Sequence, residues 1–313
     1  MRKGGTEMAT LVLGGTGFIG STIVHKLVDL GERVVCLDIA PGASTPRSLG
    51  DKVEILSGDI TKIDEILNVM KSHRVTRVVH LAAILNISSG RDCHSAVTVN
   101  ALGCSNVFEA ARLLHVERVV YASSIAVYGE QRRYGERPVT EKDAVSPTSL
   151  YGAAKLLNEY EANLYLQDFE LSIVGIRIGI VAGHGRVRGQ GMWAAEFASN
   201  PALGKPADLP YAAEMRASLI YVDDVAELFV RVLEAPSPKY GVYNSGGENV
   251  SVGELSARVR ELVPDAEHTF GAEEVPLPYM VDGTRAETEF GWKRRPLKEH
   301  LVEHIASARQ TQA

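Results

Sequence analysis

Tyr151 and Lys155 stand four residues apart at the head of a stretch with helical spacing, so both side chains share one helix face. An ammonium beside a phenol favours the phenolate. A phenol so placed can take the proton of an alcohol, or return it in the reverse step. Ser124 closes the run V-V-Y-A-S-S (119–124) and can offer a hydroxyl to the same substrate oxygen. A Tyr-x-x-x-Lys pair alone occurs by chance in many helices, so its meaning depends on what lies upstream.

Upstream lies L-G-G-T-G-F-I-G, residues 13–20, between an apolar run and a helical pattern. Gly14 permits a tight turn, Gly17 lets a pyrophosphate approach the backbone, and Gly20 lets the helix pack on the sheet. Phe18 and Ile19 open the helix, whose first N–H groups and partial positive charge suit an anion. Asp38 follows a second apolar run. A carboxylate there accepts hydrogen bonds from ribose hydroxyls and repels a 2′-phosphate, which predicts NAD rather than NADP. Asp59, after a third run, is placed to reach the adenine.

Positioning these groups requires alternating strands and helices. Apolar runs at 8–13, 33–37, 53–56, 77–81, 118–121 and 171–176 predict strands. Helical spacing predicts helices over 18–30, 63–70, 96–114 and 151–167. The expected fold is α/β: a Rossmann-type doubly wound parallel sheet with a smaller, mixed C-terminal substrate-binding lobe. Gly-, Pro- and Ala-rich sequence over 182–217 marks the change of pattern. A strand over 218–222, a helix over 223–234 and a strand over 241–244 are expected to return to the main sheet. The dinucleotide domain is thus assigned to 8–180 plus 218–247, and the substrate lobe to 181–217 plus 248–310, with helices near 251–262 and 297–309.

Composition narrows the class. The chain has 313 residues and a formal net charge of −6, which disfavours a nucleic-acid partner. Three cysteines without a C-x-x-C pair read as reduced thiols, mostly buried. The N-terminal MRKGGTE is polar, and the apolar run behind it is cut by Gly14 and Gly15, so neither a signal peptide nor a membrane span is expected. The expected location is cytoplasmic.

Taken in order, G-G-T-G-F-I-G (14–20), Asp38, G-D-I (58–60), H-L-A-A (80–83), V-N-A-L-G (99–103), S-S-I-A-V-Y-G (123–129), Y-G-A-A-K (151–155), Y-V-D-D-V-A (221–226) and Y-N-S-G-G (243–247) resemble the extended short-chain dehydrogenase/reductases, which include sugar-nucleotide epimerases and dehydratases. The resemblance spans roughly residues 9–305. It implies an NAD-dependent enzyme with Ser124, Tyr151 and Lys155 as catalytic trio and Lys155 also on the nicotinamide ribose. It further implies Asp59 and Ile60 beside adenine, Leu81, Ala82 and Ala83 along the cofactor, Asn100 near it, and a homodimer built through the helices near 96–114 and 151–167.

Three departures qualify the substrate. Dehydratases of this kind resemble S-T-D-E-V-Y-G, where this chain has Ile125 and Ala126, so dehydration is not expected. Ile180 takes the place of a substrate-contacting Asn, and Arg216 is offset by one from its usual position. Arg186, Arg188 and Arg216 remain as partners for a diphosphate. The expected activity is epimerase/dehydrogenase chemistry on a carbinol of a sugar, sugar nucleotide or related small polar molecule. The alternative is a simple alcohol dehydrogenase, since S-S-I-A-V and the loop after Ala83 also resemble short-chain threonine dehydrogenases. A non-catalytic NAD sensor is the third reading.

His300 and His304 have metal-ligand spacing, but Glu299 and Glu303 flank them on an expected solvated face with no third ligand evident, so no metal is predicted. Residues 130–143 (EQRRYGERPVTEKD) read as a solvated loop with substrate recognition as its alternative. His184 reads as a turn residue, and Asp223 as a helix cap.

Overall fold

The computed structural model describes residues 8–41, 52–85, 92–186, 190–274 and 276–311. Arg188 and part of the loop after Ala83 lie outside them. The alternating pattern of the first half becomes β1 (Ala9–Leu13), α1 (Phe18–Asp29), β2 (Arg33–Asp38), β3 (Val53–Ser57), α2 (Ile63–Ser72) and β4 (Val75–His80). There follow α3 (Cys93–Val97), α4 (Cys104–Leu113), β5 (Arg118–Ser124), α5 (Leu150–Phe169) and β6 (Ser172–Ile178).

These strands, with β10 (Val242–Asn244), form a seven-stranded sheet in the order β10-β6-β5-β4-β1-β2-β3. Every pairing in it is parallel. All five residues of β1 are buried, as a strand covered on both faces requires. One apolar layer joins α1 and α7 (Val222–Glu234) to the sheet through Ile23, Leu27, Val225 and Phe229. The opposite layer holds Ile66, Phe108, Ala162 and Tyr121. The strand order reverses between β1 and β4, which opens a crevice at their carboxyl ends.

The second half builds two small sheets. β7 (Ile180–Ala182) pairs parallel with β9 (Arg216–Tyr221), and β9 pairs antiparallel with β11 (Glu248–Ser251). β8 (Ala207–Tyr211) pairs with β12 (His268–Glu273). The strand expected over 218–222 therefore does not return to the main sheet, although α7 and β10 do pack there. The physical reason is that β6 is already flanked on both edges, by β5 and β10, so β9 takes β7 and β11 instead. A third core packs α6 (Trp193–Ala202), α8 (Val252–Leu262) and α10 (Leu297–Gln310) around Phe197, Leu219, Val250 and Leu301. The short α9 (Thr284–Phe290) leads back toward β10. Among the described residues no helix is long and apolar enough to cross a membrane.

The helix expected over 96–114 starts earlier, at Cys93, and is interrupted by a π-helical turn over Thr98–Gly103. Such insertions cluster at functional sites. Here the turn faces the segment that follows β4.

Candidate active site

The glycine turn follows β1 directly. Gly14 has φ +78°, a left-handed backbone that a side chain would strain. A Cβ there would also lie 2.9 Å from the Ala82 nitrogen. A Cβ at Gly20 would lie 2.1 Å from the Gly14 carbonyl oxygen, so glycine alone lets α1 sit this close to the turn. Gly17 is the extended N-cap of α1. It makes no side-chain cap, and the first turn carries no acid. The opening N–H groups of Phe18, Ile19 and Gly20 are thus offered to an anion rather than used internally. The residues fit a dinucleotide pyrophosphate, and the fit rests on these free N–H groups and on a turn so tight that a Cβ at Gly14 or Gly20 would strike backbone.

Asp38 ends β2 beside this turn. One carboxylate oxygen accepts from Thr16 Oγ1 at 2.6 Å and the other from the Ala40 N–H at 3.3 Å. Thr16, the threonine of the G-G-T-G-F-I-G run, therefore orients the acid. Replacing Asp38 by Ser should weaken NAD binding ~10–100-fold, the worth of hydrogen bonds to a charged acceptor, and narrow the preference over NADP. Calorimetric titration of both dinucleotides checks this, and an unchanged affinity ratio contradicts it.

Asp59 accepts from the Thr61 N–H at 2.9 Å, and its own N–H is held by Glu65. Ile60 is buried and touches Gly103 of the π turn. Leu81 continues β4 through a bond to the Leu13 carbonyl, which lays Leu81, Ala82 and Ala83 over the glycine turn. Asn100 was expected near the cofactor. Its buried carboxamide takes both backbone groups of Ile84, at 2.8 and 2.9 Å, and so fixes the 81–84 segment.

Ser124 is the last residue of β5 and caps a short 3-10 turn over Ile125–Val127, its Oγ accepting from the Ala126 N–H at 3.1 Å. The start of α5 is pressed onto that turn, since a Cβ on Gly152 would lie 2.6 Å from the Ala126 carbonyl oxygen. Ser149 caps α5 through the Gly152 N–H. Tyr151 is therefore held next to the end of β5. Lys155 is buried, with its Nζ 5.5 Å from the centre of the Tyr151 ring. Its charge also reaches His80, at the end of β4. Burial first, then Lys155, depress the His80 imidazole to about 3. The neutral imidazole beside Lys155 leaves that ammonium as the local cation.

One turn beyond Lys155, Glu159 forms a buried ion pair with Arg177 of β6, at 2.9 and 2.6 Å. Ser123 Oγ donates to the same carboxylate, and Arg177 also donates to the Tyr128 hydroxyl at 2.7 Å. Tyr128 Oη donates in turn to Asn244 of β10 at 2.8 Å. Burial alone would lower the guanidinium, and the Glu159 carboxylate more than offsets that, holding Arg177 above its ordinary value. The network ties β5, α5, β6 and β10 together directly beneath Ser124. Sequence reasoning missed it, although Tyr151, Lys155 and Glu159 repeat at four-residue spacing on one face.

The arginines proposed for a diphosphate separate. Arg186 is partly buried, donates to the Val181 carbonyl at 3.2 Å and lies within electrostatic reach of Tyr151; burial lowers its guanidinium from the ordinary value. Arg216 is bound by Asn249 and paired with Glu254 at 3.3 Å, at the far end of β9.

Three further expectations are corrected. Residues 130–143 are no free solvated loop. Gln131 and Val139 are buried, Gln131 Oε1 accepts from the Tyr279 and Met280 N–H groups, and Val139 bonds to Met280 and Asp282. Apolar packing of Val139 on Val281, Ile125 and Tyr128 pins the segment. Asp223 does not cap α7; Tyr221 is its N-cap and Asp223 sits in the first turn. His300 and His304 do not lie on a solvated face. Both are buried, because they extend the stripe of Leu297, Leu301, Ile305 and Ala308 that packs on the third core. His184 lies in a turn, as expected, with its ring nitrogens on Ser199 and Thr311.

A parallel sheet with this order, a glycine turn at its switch point and a Tyr-Lys pair beside it define a dinucleotide-dependent oxidoreductase. Residues 10–246 match the NAD dependent epimerase/dehydratase family, and the chain belongs to it. The UDP-glucose 4-epimerase of Mycolicibacterium smegmatis is 30% identical over 304 residues, covering 91% of this chain and 93% of that protein. Among solved structures, the Thermus thermophilus UDP-glucose 4-epimerase in complex with NAD aligns with TM-score 0.84 and 30% identity, over 96% of this chain and 99% of that one. An L-threonine dehydrogenase from Cupriavidus necator shares the fold, with TM-score 0.86 at 24% identity over 96% and 99% of the two chains. The chain is thus an NAD-dependent enzyme of the epimerase/dehydrogenase type.

Proposed function

We propose that this enzyme interconverts a nucleotide sugar by oxidising one of its carbinols. The observation that carries the reading is the buried Lys155 ammonium over the Tyr151 ring, at the start of a helix seated on the turn after Ser124. When bound, NAD supplies the hydride acceptor. Gly14, Gly17, Phe18, Ile19 and Gly20 hold its pyrophosphate, Asp38 its adenosine ribose, Asp59 and Ile60 its adenine end, and Lys155 its second ribose. Ser124 donates a hydrogen bond to the carbinol oxygen. The Lys155 ammonium stabilises the Tyr151 phenolate, which takes the carbinol proton, and the phenol that results returns that proton when the carbonyl is reduced.

A nucleotide sugar is favoured by the 30% identity to UDP-glucose 4-epimerases over nearly the whole chain and by Arg186 near Tyr151, where a diphosphate would need a cation. A second reading, oxidation of a small hydroxy compound with release of the ketone, is favoured by Arg216 being held by Asn249 and Glu254. The two fates separate in one assay. The enzyme is mixed with NAD and either UDP-glucose, UDP-galactose or L-threonine. Conversion of a UDP-hexose without net NADH supports the proposal, and stoichiometric NADH with threonine overturns it in favour of the second reading.

The proposal includes a homodimer and a cytoplasmic setting. Leu157, Tyr160 and Leu164 form a stripe at helical spacing on α5 and are 54%, 63% and 55% exposed. Val97, Leu102 and Leu113 of the neighbouring helical segment extend it. A patch of this kind marks an interface, and pairing of two copies through it buries both stripes. Leu157→Glu with Leu164→Glu should convert the dimer to monomers in sedimentation velocity. An unchanged sedimentation coefficient contradicts this surface.

A further inference from the structure

Away from the crevice, α7 and α10 bring three potential ligands together. A carboxylate oxygen of Asp223, a ring nitrogen of His300 and a carboxylate oxygen of Glu303 all lie within 4.8 Å of one another. Asp223 and Glu303 are exposed, whereas His300 is 2% exposed. His300 Nε2 lies 2.9 Å from Asp224 Oδ2, and Asp224 is itself buried. A carboxylate only accepts, so Nε2 donates to Asp224, which leaves Nδ1 as the second ring nitrogen. That Nδ1 is buried and has no hydrogen-bond partner among the described residues. A buried polar atom left without a partner is costly, and in folded proteins it calls for an explanation.

We propose that Asp223, His300 and Glu303 bind a divalent transition-metal ion of the zinc class. The arrangement supplies one imidazole nitrogen and two carboxylates, with the imidazole oriented by a second carboxylate behind it, as metal-bound histidines require. An imidazole ligand favours zinc-like ions over magnesium or calcium. Two of the three ligands are exposed and can rotate inward to close the separations to bonding distance. Asp224 and Tyr221, stacked on His300 at 4.4 Å between centroids, hold the imidazole in place. The ion would fasten α10, which belongs to the third core, to the first turn of α7, which packs on the main sheet.

Arg295 decides how tightly the site binds. It pairs with Glu303 and also lies 3.6 Å from Glu299. Metal binding must draw Glu303 away from this guanidinium, with Glu299 left as its partner. Removing the Arg295 charge should therefore tighten metal affinity, which a merely structural ion pair does not predict.

The test uses the full chain, stripped with chelator and titrated with ZnCl2 by calorimetry and with CoCl2 by visible absorption. One ion per chain is expected, with a ligand-field band in the cobalt form and a melting temperature raised by several degrees at ~100 times Kd. Asp223→Asn with Glu303→Gln should weaken binding at least ~10-fold, and both substitutions are at exposed sites. Arg295→Gln should strengthen it. Failure of the wild type to bind zinc overturns the site, as does the same affinity in the double variant or weaker binding by Arg295→Gln.

Discussion

Tyr151→Phe is expected to cut turnover ~10²–10⁴-fold, the contribution of a positioned acid–base group, while NAD affinity stays unchanged. The separation of effects follows from the site. The glycine turn, Asp38 and the Leu81–Ala83 segment are built by β1, β2 and β4, and none depends on the Tyr151 hydroxyl. The phenol's ring still shields the Lys155 ammonium in the variant, since the substitution removes one oxygen and no ring atom. Steady-state kinetics with the identified substrate, paired with calorimetric NAD titration, checks both halves. A variant that keeps its rate would show that another group moves the carbinol proton. A variant that loses NAD binding would show that the hydroxyl has a structural role.

The second large effect concerns stability. Glu159→Ala should destabilise the protein by about 3–5 kcal/mol, the usual cost of leaving one member of a buried ion pair unpaired. Arg177 would lose both bonds to the carboxylate, and Ser123 would lose its acceptor. Only the Tyr128 hydroxyl would remain beside a buried guanidinium. Glu159→Gln with Arg177→Met should cost less than Glu159→Ala alone, because no buried charge is left behind. Urea denaturation of the three proteins gives the comparison. A cost below about 1 kcal/mol for Glu159→Ala, the range of exposed pairs, would mean that water reaches this network.

The arrangement proposed as the functional core was legible because its signals are local. Four-residue spacing puts Tyr151 and Lys155 on one face whatever surrounds them, and the glycines at 14, 17 and 20 sit between a strand and a helix that periodicity alone reveals. The fold class follows from the same alternation. What escaped depends on contacts between distant segments. Glu159 meets Arg177 only once β6 lies beside β5 under α5, so neither residue announces the pair. Asn100 reads as a polar residue in a helix, and only the π turn shows its carboxamide clasping Ile84. The assignment of 218–222 to the main sheet failed because strand propensity says nothing about which edge is free. His300 and His304 were misplaced for a different reason. Their glutamate neighbours suggested solvent, yet both histidines continue the Leu297, Leu301, Ile305 stripe, and weighting that stripe would have buried them.

The substrate end proposed for Arg186, the 130–143 segment and the second lobe is the least legible part, since Gly- and Pro-rich sequence carries little periodicity. Gln131 and Val139 clamp the 130–143 segment onto residues 279–282 through bonds between positions far apart in sequence.

The central claim is that one crevice places a dinucleotide against the Tyr151 hydroxyl. Electron density for the protein crystallised with NAD tests it most directly. The pyrophosphate should lie on the Gly14–Gly20 turn, with the adenosine ribose on Asp38, the nicotinamide ribose on Lys155 and the nicotinamide ring against the Tyr151 hydroxyl. A dinucleotide bound elsewhere, or one whose nicotinamide end lies away from Tyr151, would contradict the account.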